Sequence, residues 1–300
     1  MAKYLWIGGT STAYTTNGNW DNALDGSDWT TRATTDIVYL NASATNTSGV
    51  GGGSGFTTDL AEFHQSMLYP YAIGGAASPL KISASKVYLG EPSNSSATGS
   101  GSGRINLELD NTSNTTSSEV YVFSSASSSS DTGKEPIRLK CNHTSNVVTV
   151  SGGRVGIATD SVVDTATLGT LNVTDGTTNV ASGTTLTTLD VSGGTCNLYC
   201  GPTTVNVSGG TLTTSGDFAI GTMNVWGTTV AANHRKTAAG DEITTLNLYE
   251  GATLDVSDLP VAFAVGTINV YGRATIRVNK ANRSHFSYTT LNRYATLTFE

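Results

Sequence analysis

The chain has 300 residues, a formal net charge of −7 and only 13% charged residues. That balance argues against broad nucleic-acid binding, which needs clustered Lys and Arg against phosphates. It also argues against disorder, which pairs low hydrophobicity with high charge; Ser, Thr, Asn and Gly fill the gap here and suit turns and flat β faces.

Residues 1–80 form an aromatic-rich region. Trp6, Trp20 and Trp29 lie in it with Tyr4, Tyr39 and Phe63. The first coil of any stack leaves a strand edge unpaired, which invites aggregation, and this region suits a cap over that edge. Aromatic enrichment at interfaces adds a second expectation, that Trp6, Trp20 and Trp29 bind a partner protein. Leu60, Phe63 and Met67 have helical spacing, so a turn or two of helix is expected within residues 59–71. The opening nine residues are too short and too aromatic for a secretory signal. No stretch approaches the roughly eighteen apolar residues of a membrane span, so a cytoplasmic site of synthesis and no membrane partner are expected.

Residues 81–147 carry irregular strands: Lys86-Val87-Tyr88-Leu89, Ile105-Asn106-Leu107, Val120-Tyr121-Val122 and Pro136-Ile137-Arg138-Leu139. Ser-rich runs at 93–103 and 124–133 separate them and read as loops. Coils are expected to begin here with imperfect sequence. Cys141, Cys196 and Cys200 make no even disulfide framework, so all three are expected as free buried thiols.

Residues 148–300 repeat one phrase: Thr, apolar, Asn or Asp, apolar, then a turn with Gly. It reads Thr170-Leu171-Asn172-Val173, Thr188-Leu189-Asp190-Val191, Thr204-Val205-Asn206-Val207 and Thr222-Met223-Asn224-Val225. It continues as Thr245-Leu246-Asn247-Leu248 and Thr267-Ile268-Asn269-Val270, and decays at Thr290-Leu291-Asn292-Arg293. Alternating apolar residues fit a half-buried strand, with the Asn on the opposite face. Second strands follow the Gly corners, as at Thr253-Leu254-Asp255-Val256 and Thr275-Ile276-Arg277-Val278. Apolar patches at Phe218-Ala219-Ile220, Val261-Ala262-Phe263 and Phe286 complete some repeats. A sandwich has similar short strands but rarely repeats residue identities. The chain therefore reads as all-β, a single-stranded parallel β-solenoid, or β-helix, of about 16–23 residues per coil with an aromatic-rich N-terminal cap. The row Asn172, Asp190, Asn206, Asn224, Asn247, Asn269, Asn292 is expected to stack as one nearly uncharged ladder, since like charges directly opposite are destabilising.

Chemistry is sparse. His64, His143, His234 and His285 are far apart in sequence, and Cys141-x-His143 lacks the paired spacing of a zinc site. Gly51-Gly52-Gly53-Ser54-Gly55 lacks the Lys-Ser/Thr of a phosphate loop. A polysaccharide-cutting site needs two acids about 5 to 10 Å apart; Asp175 with Asp190, Glu250 with Asp255 and Asp258, and Asp241-Glu242 with His234 and Arg235 are the candidates, the last being the strongest. No catalytic residue, metal or cofactor is assigned. Arg273, Arg277, Lys280, Arg283 and Arg293 crowd the last thirty residues, opposed only by Glu300, and Arg273, Arg277, Arg283 and Arg293 are a second candidate partner-binding surface. Trp226, Tyr249 and Tyr271 follow the Asn column on consecutive coils, as a glycan strip on which sugar rings stack or as a stiffening ladder.

The opening Tyr4-Leu5-Trp6-Ile7-Gly8-Gly9, then Gly18-Asn19-Trp20-Asp21-Asn22-Ala23, Asp28-Trp29 and Asp36-Ile37-Val38-Tyr39 resembles the W-x-G-G … G-N-W-x-x-A-x-x-W … D-x-V opening of many phage-encoded virion proteins. The likeness covers about forty residues, with a longer insertion between Gly9 and Gly18. It implies a structural part of a tailed-phage particle and supplies no catalytic residues. The expected function is a non-enzymatic virion component made in the bacterial cytoplasm, of the capsid-decoration or head-fibre type. Its expected partners are other virion proteins and, as a homotrimer, itself. The alternatives are a tail-fibre or tailspike protein recognising host surface glycans, and a secreted bacterial adhesin.

Overall fold

The computed structural model describes residues 2–300 apart from 8–12, 14, 41–49, 52–58, 67–72, 76–77, 92–104, 110–117, 126–134, 160–164, 238–239, 259–262, 280–282, 284–285, 287–289 and 293–294. The described residues are all-β, with one 3-10 turn at Asn17–Asn19. The chain divides into two compact units, Met1–Leu168 and Gly169–Glu300. The aromatic-rich region and the irregular coils thus share one unit, and the division falls inside the stretch read as the regular array.

The first unit contains β1 (Lys3–Trp6), β2 (Trp20–Asn22), β3 (Ile37–Leu40), β4 (Leu60–Gln65), β5 (Leu80–Ile82), β6 (Ala84–Glu91), β7 (Ile105–Leu109), β8 (Glu119–Ser125) and β9 (Ile137–Ile157). Two parallel ladders organise it. One runs β1, β3, β4, β6, β8 and the middle of β9; the other runs β5, β7 and the start of β9. β2 pairs antiparallel with β1, Tyr4 facing Asn22 and Trp6 facing Trp20. β1 is parallel-paired to β3 on one edge, so β2 covers the edge that would otherwise stay open. This is the expected aromatic cap.

The helix expected within 59–71 is instead the strand β4; Met67 lies outside the described residues. Leu60, Phe63 and Gln65 are buried, so the side-chain alternation slips by one residue. β6 slips at the same level, burying Ala84, Val87 and Leu89, and Leu60 pairs Ala84 while Phe63 pairs Val87. A shared irregularity in two stacked strands produced an apolar spacing of three that mimics a helix turn.

The second unit contains all but the first three residues of β10 (Ala166–Val180), and β11 (Thr184–Val191), β12 (Thr195–Leu198), β13 (Thr204–Val207), β14 (Thr211–Asp217), β15 (Ile220–Val225) and β16 (Thr229–Arg235). It continues with β17 (Ile243–Leu248), β18 (Ala252–Val256), β19 (Val265–Val270), β20 (Arg273–Val278), β21 (Thr290–Leu291) and β22 (Thr296–Phe299). Strands pair with the next but one, always in parallel. The phrase ladder is β11-β13-β15-β17-β19-β21, and the second ladder is β10-β12-β14-β16-β18-β20-β22. Leu189, Val205, Met223, Leu246 and Ile268 fall on one register line and are fully buried. Each lap of the chain hydrogen-bonds edge-on to the lap before it, which defines a parallel β-solenoid. A single lap cannot enclose an apolar core; successive laps share one.

The last phrase departs from the expected register. Thr290 pairs with Asn269 and Leu291 with Val270. The Asn292 amide donates to the Val270 carbonyl at 2.9 Å, as the Tyr271 amide does to Leu248 at 2.8 Å. Asn292 therefore follows Tyr271 at the corner and does not join the Asn column.

Corners between the two ladders use glycine in the left-handed region, at Gly194 (φ +62°), Gly210 (φ +67°), Gly227 (φ +57°) and Gly251 (φ +74°). Two constraints separate here. A Cβ on Gly210 would lie 2.5 Å from the Gly193 carbonyl carbon, whereas on Gly227 its nearest neighbour is the Glu250 carbonyl oxygen at 3.9 Å. Gly227→Ala should therefore cost only the left-handed strain, about 1 kcal/mol. Gly210→Ala should cost at least twice as much, because one coil's backbone must move off the next. Calorimetric melting of both variants checks the order.

Candidate functional site: the side-chain ladders

Between the two buried apolar residues of each phrase, the middle side chain points outward and meets its copy on the next coil. Asn206 Nδ2 donates to Asp190 Oδ1 at 2.6 Å, Asn224 to Asn206 at 2.7 Å, Asn247 to Asn224 at 2.7 Å and Asn269 to Asn247 at 2.8 Å. Asp190 fixes the direction of this chain. An ionised carboxylate only accepts, so Asn206 must present its nitrogen, which leaves its oxygen for Asn224, and so on outward. As an acceptor-only group the lone Asp can only receive in this column, and its bond from Asn206 is the shortest of the four, as expected for a charge-assisted one. A second chain begins on the other ladder, where Asn197 Nδ2 donates to Asn179 Oδ1 at 2.8 Å.

One column further on, Trp226 stacks on Tyr249 (centroids 4.6 Å apart, planes 14°) and Tyr249 on Tyr271 (5.0 Å, 18°). Tyr271 is 45% exposed. A sugar ring that stacks on an aromatic needs an open face, but both faces of Tyr249 are covered, as is one face each of Trp226 and Tyr271. The rings therefore form a continuous stacked ladder, in which a sugar could stack only on the outer face of Trp226 or Tyr271 and not on Tyr249.

The first unit has an aromatic ladder that sequence reading missed. Tyr39, His64, Tyr88 and Tyr121 share one register line. Their centroids lie 4.6, 4.5 and 5.4 Å apart with planes within 23°. His64 Nε2 meets Glu62 Oε2 at 2.6 Å, and Tyr121 donates its hydroxyl to Glu119 Oε2 at 2.8 Å. Tyr39, Tyr88 and Tyr121 are each the middle member of an apolar-x-apolar triplet, a signal present in the sequence but masked by uneven spacing, whereas His64 lies between Phe63 and the buried Gln65. The same position carries rings in this unit and amides in the second.

The strongest acid–base candidate lies in the packed interior. His234 is fully buried. Its ring stacks on Phe218 at 4.6 Å with planes 3° apart, and Phe263 meets it edge-on at 5.2 Å. Nε2 faces the Glu242 backbone oxygen at 3.1 Å and Nδ1 faces the Thr214 hydroxyl at 2.6 Å. A carbonyl only accepts, so Nε2 carries the proton and Nδ1 accepts from Thr214. Desolvation drives the imidazole pKa down to about 4, so it is neutral near pH 7. Glu242 is spent on the backbone: Oε2 accepts from the Ala264 amide at 2.7 Å and Oε1 from the Lys236 amide at 3.4 Å. Two of the other acids are also engaged. Asp255 accepts from Ser257, and Glu250 takes the Arg273 amide and Nε, both at 2.8 Å, which lowers its pKa.

The residues expected to bind partners are also engaged. Trp6, Trp20 and Trp29 are fully buried, with Trp6–Trp20 at 5.0 Å, Trp20–Trp29 at 5.5 Å, and Tyr4 stacked on Trp29 at 4.7 Å. Trp29 Nε1 donates to Asp36 Oδ2 at 3.1 Å, which also accepts from the Ala33 amide at 2.8 Å. The motif tryptophans and Asp36 thus build the cap from inside, with all three rings buried. The basic cluster is opposed by more than Glu300: Arg273 pairs with Glu250, and Arg277 with Glu300 at 3.1 Å and Asp255 at 3.8 Å. Arg283 lies over the Phe299 ring at 5.3 Å; Arg293 and Lys280 lie outside the described residues. Cys141, Cys196 and Cys200 are free and buried, and burial pushes each thiol pKa up to about 12. Among the described residues no three His, Cys, Asp or Glu groups gather as a metal site, and no helix is long and apolar enough to cross a membrane.

Fold and ladders define the class: a parallel β-solenoid repeat protein. Comparison with protein-family models, curated proteins and solved structures finds no match.

Two outcomes test these assignments. Asn224→Asp sets a carboxylate against the Asn206 oxygen and should cost about 1–3 kcal/mol, whereas Asp190→Asn keeps an acceptor for Asn206 and should cost less than about 1 kcal/mol; thermal melts compare them. For His234, the unfolded ring binds a proton near pH 6.5 and the folded one only near pH 4. Its contribution is therefore fully present above pH 6.5 and falls away as pH drops toward 4, by about 3 kcal/mol in all. The double variant Thr214→Val/His234→Phe removes both hydrogen-bonding partners, and the Glu242 carbonyl keeps the Ile220 amide at 2.9 Å. It should show a shallower loss of melting temperature than the parent across that range.

Proposed function

We infer that this protein is a non-enzymatic structural component of a bacteriophage particle, an accessory capsid-decoration or head-fibre protein. The observation that carries the reading is how the coils use their polar side chains. The amide chain from Asn269 to Asp190, the stacked rings and the buried His234–Glu242 cluster all serve coil-to-coil cohesion. A chain built this way resists deformation and offers its coil faces for display. The opening that resembles phage virion proteins supports the same reading, since its Trp and Asp residues form the cap that lets the stack begin cleanly. Trp6, Trp20 and Trp29 serve attachment only by shaping that cap.

Immunogold labelling of purified phage particles with antibody to this chain should mark the head; particles without label, or label confined to tail tips, would displace the reading. Incubation of the purified protein with host capsular polysaccharide should release no reducing ends, and sustained release would overturn its non-enzymatic part.

A further inference from the structure

The phrase ladder presents the longer uncharged face of the second unit; the other ladder begins alike, with Thr177, Thr195 and Thr211 beside Asn179, Asn197 and Thr213, but carries Asp255 and Arg277 further on. Its outward columns are Thr204, Thr222 and Thr245 beside Asn206, Asn224 and Asn247, all partly exposed and in register. The columns continue to Thr267 and Asn269 above and to Thr188 and Asp190 below. No Lys or Arg occupies them, and Asp190 is their one acid. Among the described residues the unit's ion pairs lie elsewhere, at Arg273–Glu250, Arg277–Glu300 and Arg277–Asp255.

Each Asn has two amide hydrogens and two carbonyl lone pairs. The chain of amides uses one of each, leaving one donor and one acceptor per coil. Each Thr adds a hydroxyl. The face is therefore a comb of neutral donors and acceptors repeating every ~4.8 Å. The order in that comb is imposed before any ligand arrives, because the amides are already locked by their neighbours. Little conformational entropy is left to lose on binding.

We propose that this face binds a neutral, extended, β-linked polysaccharide lying along the stacking direction, one sugar residue per coil. A periodic comb is best satisfied by a periodic ligand. An extended hexose residue is about as long as one strand spacing, and its hydroxyls both donate and accept. The ring edges and hydroxyls of Tyr249 and Tyr271 border the comb and need no open ring faces in this mode. Nucleic acid and acidic polymers are disfavoured by the missing cations. A second copy of the chain is disfavoured by area: five coils by two or three columns offer roughly 400 Å² by strand geometry, half of the roughly 800 Å² per partner of a stable complex. The proposal goes beyond the particle reading and is independent of it, since a head or tail protein alike carries the same face.

The test uses the full chain with cello-, manno- and xylo-oligosaccharides of increasing length, and oligogalacturonate as the charged control, by calorimetry and affinity electrophoresis. At least one neutral series should bind, more tightly with length. The variant Thr204→Val/Thr222→Val/Thr245→Val removes hydroxyls while keeping β-branched strand residues; it should lose at least about tenfold in affinity with an unchanged melting temperature. The corresponding triple serine variant keeps the hydroxyls and should bind like the parent, which guards against a valine variant that fails to fold. Absence of binding to every neutral series, equal binding of oligogalacturonate, parent-like affinity in the folded valine variant, or a change in its oligomeric state by light scattering would each overturn the proposal. Particle labelling is unaffected by any of these outcomes.

Discussion

Parallel, in-register hydrogen bonding between one lap of chain and the next is the constraint that shapes this protein. It fixes a spacing of about 4.8 Å between equivalent residues, and at that spacing every outward side chain touches its own counterpart. Side chains that tolerate a copy of themselves are selected. Leu and Val do so by packing inward, as from Leu189 to Ile268. Asn does so by donating one way and accepting the other, and aromatic rings by stacking. Lys and Glu columns do not, and the low charge of the chain follows from the same geometry.

The amide chain shows how one residue organises many. Asp190 differs from its neighbours by a single group, yet because a carboxylate cannot donate, it orients four asparagines above it. Reversing any member would set two oxygens or two amide nitrogens face to face. Polarised chains strengthen their own members, so the column is stiffer than separate pairs. The aromatic ladders do the same without hydrogen bonds: dispersion and offset stacking replace the amide link, as from Tyr39 to Tyr121 in the first unit and from Trp226 to Tyr271 in the second.

Groups that look reactive in a linear reading are absorbed by the same cohesion. His234, Glu242 and Arg235 gather in sequence at the longest insertion, a pattern that suggests acid–base work. Folding instead closes Phe218 and Phe263 over the imidazole and turns the Glu242 carboxylate onto backbone amides that an irregular corner leaves unpaired. The three motif tryptophans follow the same course, since the cap needs a core of its own.

The repeated phrase was enough to determine the solenoid, its coil length and the column of asparagines, because alternation and register depend only on neighbours along the strand and on the identical residue one lap away. It also pointed to a cap, though not to the antiparallel strand Trp20–Asn22 that makes it. Where the period failed, so did legibility. Leu60 and Phe63 imitated a helix because two stacked strands share a slip, the ladder from Tyr39 to Tyr121 was hidden by uneven insertions, and Asn292 left its column when the last lap shifted register. Which rings have open faces, which acids are already bonded and which tryptophans are interior were decided only in three dimensions. Those properties depend on what covers a side chain from a lap many residues away, and local sequence carries no record of that distance.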